Sequence, residues 1–197
     1  IRGALESGET PAPSTSPHAR LSIPAAMTPS LHPLRAKLAA GRTLAGIWSV
    51  IPSAPLVGTL AASGFDFVIL DAEHGGYDFG SLDAAITACE DGGASPLVRS
   101  PGADAFFIQR ALDLGADGVV VPQVADEAAA ARAVAMMHYA PLGTRGYNPF
   151  TRGGRYGIAP QPKLAAGHPF SGVMVGSPAG EARRGRTGEL PGLDFVY

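Results

Sequence analysis

One pattern constrains this chain more than any other. Short, continuously apolar runs alternate with longer stretches of helical spacing. TLAGIWSVI (43–51), FDFVILD (65–71), PLVRS (96–100), GVVVPQV (118–124), SGVMVG (171–176) and LDFVY (193–197) read as strands. Apolar and polar residues do not alternate within them, as a sheet covered on both faces requires. Between them, SAPLVGTLAASG (53–64), FGSLDAAITACEDGG (79–93), DAFFIQRALDLGADG (104–118) and DEAAAARAVAMMHY (126–139) carry helical patterning. Gly64, Gly92-Gly93 and Gly115 stop the first three, and Asp126 is a natural N-cap for the fourth. Such alternation implies a parallel sheet built from right-handed crossovers.

Two closures satisfy that rule: a doubly wound open sheet or a (β/α)8 barrel. No G-x-G-x-x-G follows the first strand, which weakens a dinucleotide-binding sheet. The strands end instead in different polar groups, Asp71-Ala-Glu-His74, Arg99-Ser100 and Pro122-Gln123. A barrel assembles its site in this way, from the C-terminal ends of several strands. A TIM (β/α)8 barrel over residues 31–197 is therefore the expected fold. A whole barrel takes about 250 residues and eight strands, so with six strands in 197 residues this one reads as C-terminally incomplete. Two further units, or another chain, are expected to cover the open edges.

Composition narrows the function classes. Hydrophobic residues make up 46% and charged residues 16% of the chain, enough for one domain with a real core. A net charge of -2 and a pI near 6.2 give no basic field for nucleic acid or an anionic membrane. Cys89 is the single cysteine, which excludes an internal disulfide and fits a reducing, cytoplasmic compartment. Residues 1–30, rich in Pro, Ser, Thr and Ala without any period, read as a flexible leader. Glu6 and Glu9 speak against a transit peptide, which avoids acids.

The chemistry sits where apolar strands end. Asp71, Glu73 and His74 follow the second strand, Arg99 ends the third, and Asp113 lies late in the next helix between Leu112 and Leu114. One loop histidine alone is more often structural than catalytic. An adjacent Glu, a nearby Asp and an Arg on the neighbouring strand shift that balance toward function. An imidazole exchanges protons near neutral pH, and a carboxylate on its other nitrogen fixes the tautomer and raises its basicity. An Arg at the same rim offers a cationic fork to an oxyanion or carboxylate. The set suits proton transfer beside a carbonyl. Asp71 and Glu73 are alternatively oxygen ligands for a hard cation such as Mg²⁺ or Mn²⁺. Arg145 and Arg152, in a Gly/Pro/Arg-rich connection, are weaker candidates for a phosphate or carboxylate, and Cys89 reads as core.

These residues resemble the HpcH/HpaI aldolase/citrate lyase family, the hydroxy-ketoacid aldolases. The resemblance is carried by GIW (46–48), GFDFVILDAEHG (64–75), LVRSPGAD (97–104), IQRALDLGADGVVVPQV (108–124) and YAPLGTRGYNP (139–149). It implies a (β/α)8 barrel, a homo-oligomer, and cleavage or formation of a carbon–carbon bond beside a 2-oxo acid. Members typically split 4-hydroxy-2-oxo acids into pyruvate and an aldehyde, with a divalent metal (Mg or Mn) holding the enolate. The family's catalytic histidine maps onto His74 and its transition-state arginine onto Arg99. The aspartate that raises the histidine's basicity maps onto Asp113.

The family's metal ligands are not present in this chain. A glutamate expected after the fifth strand is replaced by Pro178, and the aspartate expected after the sixth strand would fall beyond Tyr197. The resemblance therefore leaves a second reading, an impaired or inactive relative that keeps only a 2-oxo-acid pocket. Segment 176–190, GSPAGEARRGRTGEL, lacks helical patterning although the runs on both sides match the family. Compensating frame errors in the coding sequence would produce this. If neither of the other two frames of the DNA yields a Gln-x-Glu run there, that explanation fails.

Overall fold

The computed structural model describes residues 32–157, 169–176 and 184–197. The leader read over 1–30 and the Pro178 position fall outside the described residues. The elements are α1 (Pro33–Ala39), β1 (Gly46–Ser49), α2 (Ala54–Ala62), β2 (Phe67–Asp71), α3 (Phe79–Asp91), β3 (Ser95–Arg99) and α4 (Ala105–Asp113). They continue with β4 (Gly118–Val124), α5 (Glu127–Met137), a 3-10 turn (Arg155–Gly157), β5 (Phe170–Val175), α6 (Arg184–Gly188) and β6 (Phe195–Val196). All pairings are parallel, and the strands lie side by side in chain order from β1 to β6. No reversal of order interrupts the sheet, so the doubly wound alternative is excluded among the described residues.

Side-chain alternation divides the apolar residues into two layers. Val68, Leu70, Val98, Val119, Val121 and Val173 face the helices and pack with Val57, Leu82, Ile86, Cys89, Ile108 and Met137. Their neighbours Phe67, Ile69, Leu97, Val120, Phe170, Met174 and Phe195 pack together on the other face with Leu34, Leu44 and Trp48. That second layer exists because the sheet curls. The Trp48 ring on β1 stands 5.9 Å from that of Tyr197, the residue after β6. The concave layer alternates large with absent side chains. A Cβ on Gly46 would lie 2.0 Å from the Phe67 ring, and one on Gly118 would lie 2.0 Å from the Phe170 carbonyl. The result is an incomplete barrel with a filled interior.

Local signals explain the helix boundaries. Ser53, Asp78, Asp104 and Asp126 cap α2, α3, α4 and α5, each accepting a backbone N–H in the first turn. Asp78 and Ser81 complete a reciprocal box. Two helices depart from expectation. Helix α1 closes the N-terminal end of the sheet with fully buried Leu34, while His32 stacks on Phe170 at 5.6 Å. The five-residue α6 lies inside a segment whose sequence shows no helical patterning.

Candidate active site

In the β2–β3 register Asp71 is paired with Arg99, so the last residues of two adjacent strands share one level of the sheet. The same alternation that turns Ile69 and Leu97 inward turns these two onto the concave face. Arg99 grips Asp71 with both arms of its fork: Nε donates to Oδ1 at 2.8 Å, and Nη2 donates to Oδ2. Asp71 Oδ1 also accepts the backbone N–H groups of Glu73 at 3.0 Å and His74 at 3.1 Å. Burial opposes ionisation of Asp71, but the guanidinium and these two amides outweigh it and hold the carboxyl below the usual range. The Asp71 pairing in turn keeps Arg99 more firmly protonated than usual. The Asp71 turn therefore sets the backbone that carries Glu73 and His74.

Glu73 is buried to 8% side-chain exposure and lies 3.1 Å from Arg99 Nη1 through Oε2. Its other oxygen, Oε1, accepts the Gln123 amide at 2.8 Å. His74 projects outward with 70% of its side chain exposed, its Nε2 3.8 Å from Glu73 Oε2. Arg99 also lies over the Trp48 ring at 4.7 Å, with Nη1 3.8 Å from Met174 Sδ. One guanidinium is thus held between two carboxylates and an indole, beside a solvent-facing imidazole. The loop after β1 is pinned against this turn. Tyr77 Oη donates to Ile51 O at 2.8 Å and lies 2.8 Å from Ser49 Oγ, while Gly76 N–H reaches Val50 O.

His74, Arg99, Asp71 and Glu73 therefore share one rim. Asp113 does not join them. It ends α4 five residues before β4 begins, at the opposite end of the sheet, and pairs there with Arg145 at 2.8 Å. Arg145 lies over Tyr139 at 4.6 Å, and only 6% of its side chain is exposed. Arg152 bonds to Thr87 and Glu90 and fastens the 138–157 connection to α3. Both arginines pair with acidic side chains, although the buried Arg145 Nε makes no hydrogen bond among the described residues. Cys89 is fully buried, and burial pushes its thiol up to about 12, which suits core rather than chemistry. The sequence gives Trp48, Met174 and Gln123 no role. Gln123 is visible there only as a polar strand end.

The carboxylates at the mouth do not form a metal-ligand set. Asp71 and Glu73 direct all four oxygens toward Arg99, Gln123 or backbone amides. Among the described residues no group of three His, Cys, Asp or Glu side chains converges. A cation held by this pair would have to displace the guanidinium that Asp71 and Glu73 brace.

Fold and mouth together define a class: a parallel β/α barrel-type protein with a cation–imidazole site at the strand ends. The HpcH/HpaI aldolase/citrate lyase model matches residues 44–159, more than half of the chain, and the chain belongs to that family. A pyruvate aldolase of Rhizobium etli is 36% identical over 124 residues, 63% of this chain and 49% of that protein. A 2-dehydro-3,6-dideoxy-6-sulfogluconate aldolase of Pseudomonas putida is 38% identical over 112 residues, 57% of this chain and 44% of the other. The chain thus spans about half the length of the curated relatives it matches. The crystal structure of a family protein from Burkholderia cenocepacia J2315 superposes with a TM-score of 0.77 at 26% identity, covering 84% of this chain and 67% of that one.

Proposed function

We propose that this chain carries the proton-transfer half of a carbon–carbon lyase, an aldolase that cleaves or forms 4-hydroxy-2-oxo acids as pyruvate plus an aldehyde. The observation that supports it most is Arg99, braced by Asp71 and Glu73 and presented beside the exposed His74 at the strand ends. In the cleavage direction the His74 imidazole accepts the proton of the C4 hydroxyl. The C3–C4 bond breaks, its electrons pass into the pyruvate enolate, and the aldehyde departs. Arg99 faces the enolate oxygen with the N–H groups that its carboxylate partners leave free. The proton then returns from the imidazolium to C3, so the reaction balances without oxidant or reductant.

The family resemblance adds a divalent cation, Mg²⁺ or Mn²⁺. The described residues do not assemble its ligands, and no step above passes through it. The resemblance also implies a homo-oligomer. Within one chain Asp113 and His74 sit at opposite ends of the sheet, so Asp113 does not act on the His74 of its own chain. No described helix is long and apolar enough to cross a membrane, and the proposed site is a small-molecule one in a cytoplasmic protein without a nucleic-acid partner.

Pyruvate incubated in D₂O with Mg²⁺ or Mn²⁺ tests this reading, because enolate formation exchanges the methyl protons without any aldehyde. His74→Ala and Arg99→Ala are each expected to slow that exchange by about 100-fold or more. Exchange as fast in His74→Ala as in the wild type overturns the assignment. The alternative, an impaired relative, predicts pyruvate binding with no exchange under any metal.

A further inference from the structure

We infer that Gln123 is a positioning residue that holds Glu73 on Arg99 and off His74. It follows Pro122, where the β4–β5 register slips between Val121 and Val124. Its φ is +56°, in the left-handed region that side-chain-bearing residues avoid and glycine enters freely. A glutamine there is unexpected on backbone grounds. What the conformation achieves is reach, since the Gln123 amide crosses from the end of β4, past β3, to the turn after β2. There Nε2 donates to Glu73 Oε1 at 2.8 Å.

Two groups border the other oxygen of the same carboxylate. Arg99 Nη1 lies 3.1 Å from Glu73 Oε2, and His74 Nε2 lies 3.8 Å from it, beyond hydrogen-bonding range. Glu73 can turn toward His74 only by giving up the Gln123 bond. Being neutral, the amide fixes the carboxylate without adding a charge that would compete with Arg99. The imidazole consequently makes no hydrogen bond to Glu73 and stays open to substrate, while Arg99 keeps its second brace. The proposed aldolase reading gives this arrangement its purpose, but the geometry stands without it.

The test uses the full chain and reads His74 directly, through its rate of carbethoxylation by diethyl pyrocarbonate, quantified on the His74 peptide by mass spectrometry. Gln123→Met keeps the shape and loses the donor. It should slow modification of His74 about threefold as Glu73 swings onto the imidazole. Gln123→Gly relaxes the backbone but lacks the amide, so it should slow modification like Gln123→Met while raising Tm. A wild-type rate in Gln123→Met, or in Gln123→Gly, overturns the inference. Pyruvate exchange in D₂O runs in parallel. If wild type shows no exchange while His74 reactivity still follows the donor at 123, the aldolase reading fails and the positioning role of Gln123 stands.

Discussion

The two rims of this sheet use the same residue types to different ends. At the N-terminal rim three ion pairs join elements of the fold. Arg35 grips Asp194 through two hydrogen bonds of 2.5 and 2.6 Å, Lys37 meets Asp66 at 2.6 Å, and Arg145 meets Asp113 at 2.8 Å. Each pair ties one element to another: α1 to the lead-in of β6, α1 to that of β2, and the long connection to α4. At the C-terminal rim one arginine serves two carboxylates, an imidazole projects nearly unpaired, and a glutamine is held at positive φ. A matched pair is a latch. A crowded, strained and unbalanced cluster is what remains when groups are held for something that is not part of the chain.

The contrast breaks most sharply at Asp71. Its side chain is 2% exposed, and removing it leaves the largely buried Arg99 guanidinium without its bidentate partner. Asp71→Ala should destabilise the fold by about 3–5 kcal/mol, the range for stripping one member from a buried ion pair. Urea denaturation followed by circular dichroism measures it. A loss below about 1 kcal/mol would show that Glu73 alone supports Arg99 and that the turn over 71–74 does not depend on Asp71.

The N-terminal latch between Arg35 and Asp194 should come next. Its members are 20% and 13% exposed, and Arg35 also donates to Pro169 O at 2.7 Å. Arg35→Ala should cost about 1.5–3 kcal/mol, in the range of charge-assisted hydrogen bonds, with pyruvate exchange unchanged. Loss of exchange in a folded Arg35→Ala would mean that the rims are coupled rather than divided between support and chemistry.

Acid probes both rims at once. The folded-state pKa values of Asp71 and Asp66 are both depressed, so each contributes stability that is complete above the ordinary carboxylate range near ~4 and is lost as pH falls through the lower folded value. Stability measured from pH 6 downward should therefore begin to fall near ~4 and keep falling below it. Asp71→Asn should flatten that slope, because it removes one of the depressed groups. An unchanged slope would place the acid sensitivity elsewhere.

Much of the fold was legible because burial on both faces gives strands of uninterrupted apolarity, and helices, three of them stopped by glycine, separate them. The ends were less so. The first run, read as 43–51, pairs only over Gly46–Ser49, since Leu44 packs beneath the sheet while Val50 and Ile51 are half exposed at the rim. Helix α1 escaped notice because seven residues with a single fully buried side chain carry no period. Asp71, His74 and Arg99 could be brought together from sequence, since adjacent parallel strands end at one level. Asp113 could not join them, because a crossover helix ends beside the start of the next strand. The bond from Gln123 to Glu73 depends on the sign of one backbone angle, and nothing local in Val121-Pro-Gln-Val124 announces it.

The smallest expected effect tests whether the N-terminal rim is truly a set of independent latches. Lys37 is a third exposed, and its ammonium meets Asp66 Oδ1, while Asp66 Oδ2 accepts the Ala45 N–H at 2.8 Å and so sets the approach to β1. The Lys37 bond is the largest influence holding the Asp66 carboxyl below the usual range, with the Ala45 amide behind it. Lys37→Met should cost no more than about 1 kcal/mol, as for other solvent-screened pairs, whereas Asp66→Ala should cost more by also stranding the Ala45 amide. If the two substitutions cost the same, the backbone bond contributes nothing measurable and the pair is only a surface contact. If Lys37→Met costs more than Arg35→Ala, the anchoring of α1 runs through β2 rather than through β6, and the order of importance among these latches is reversed.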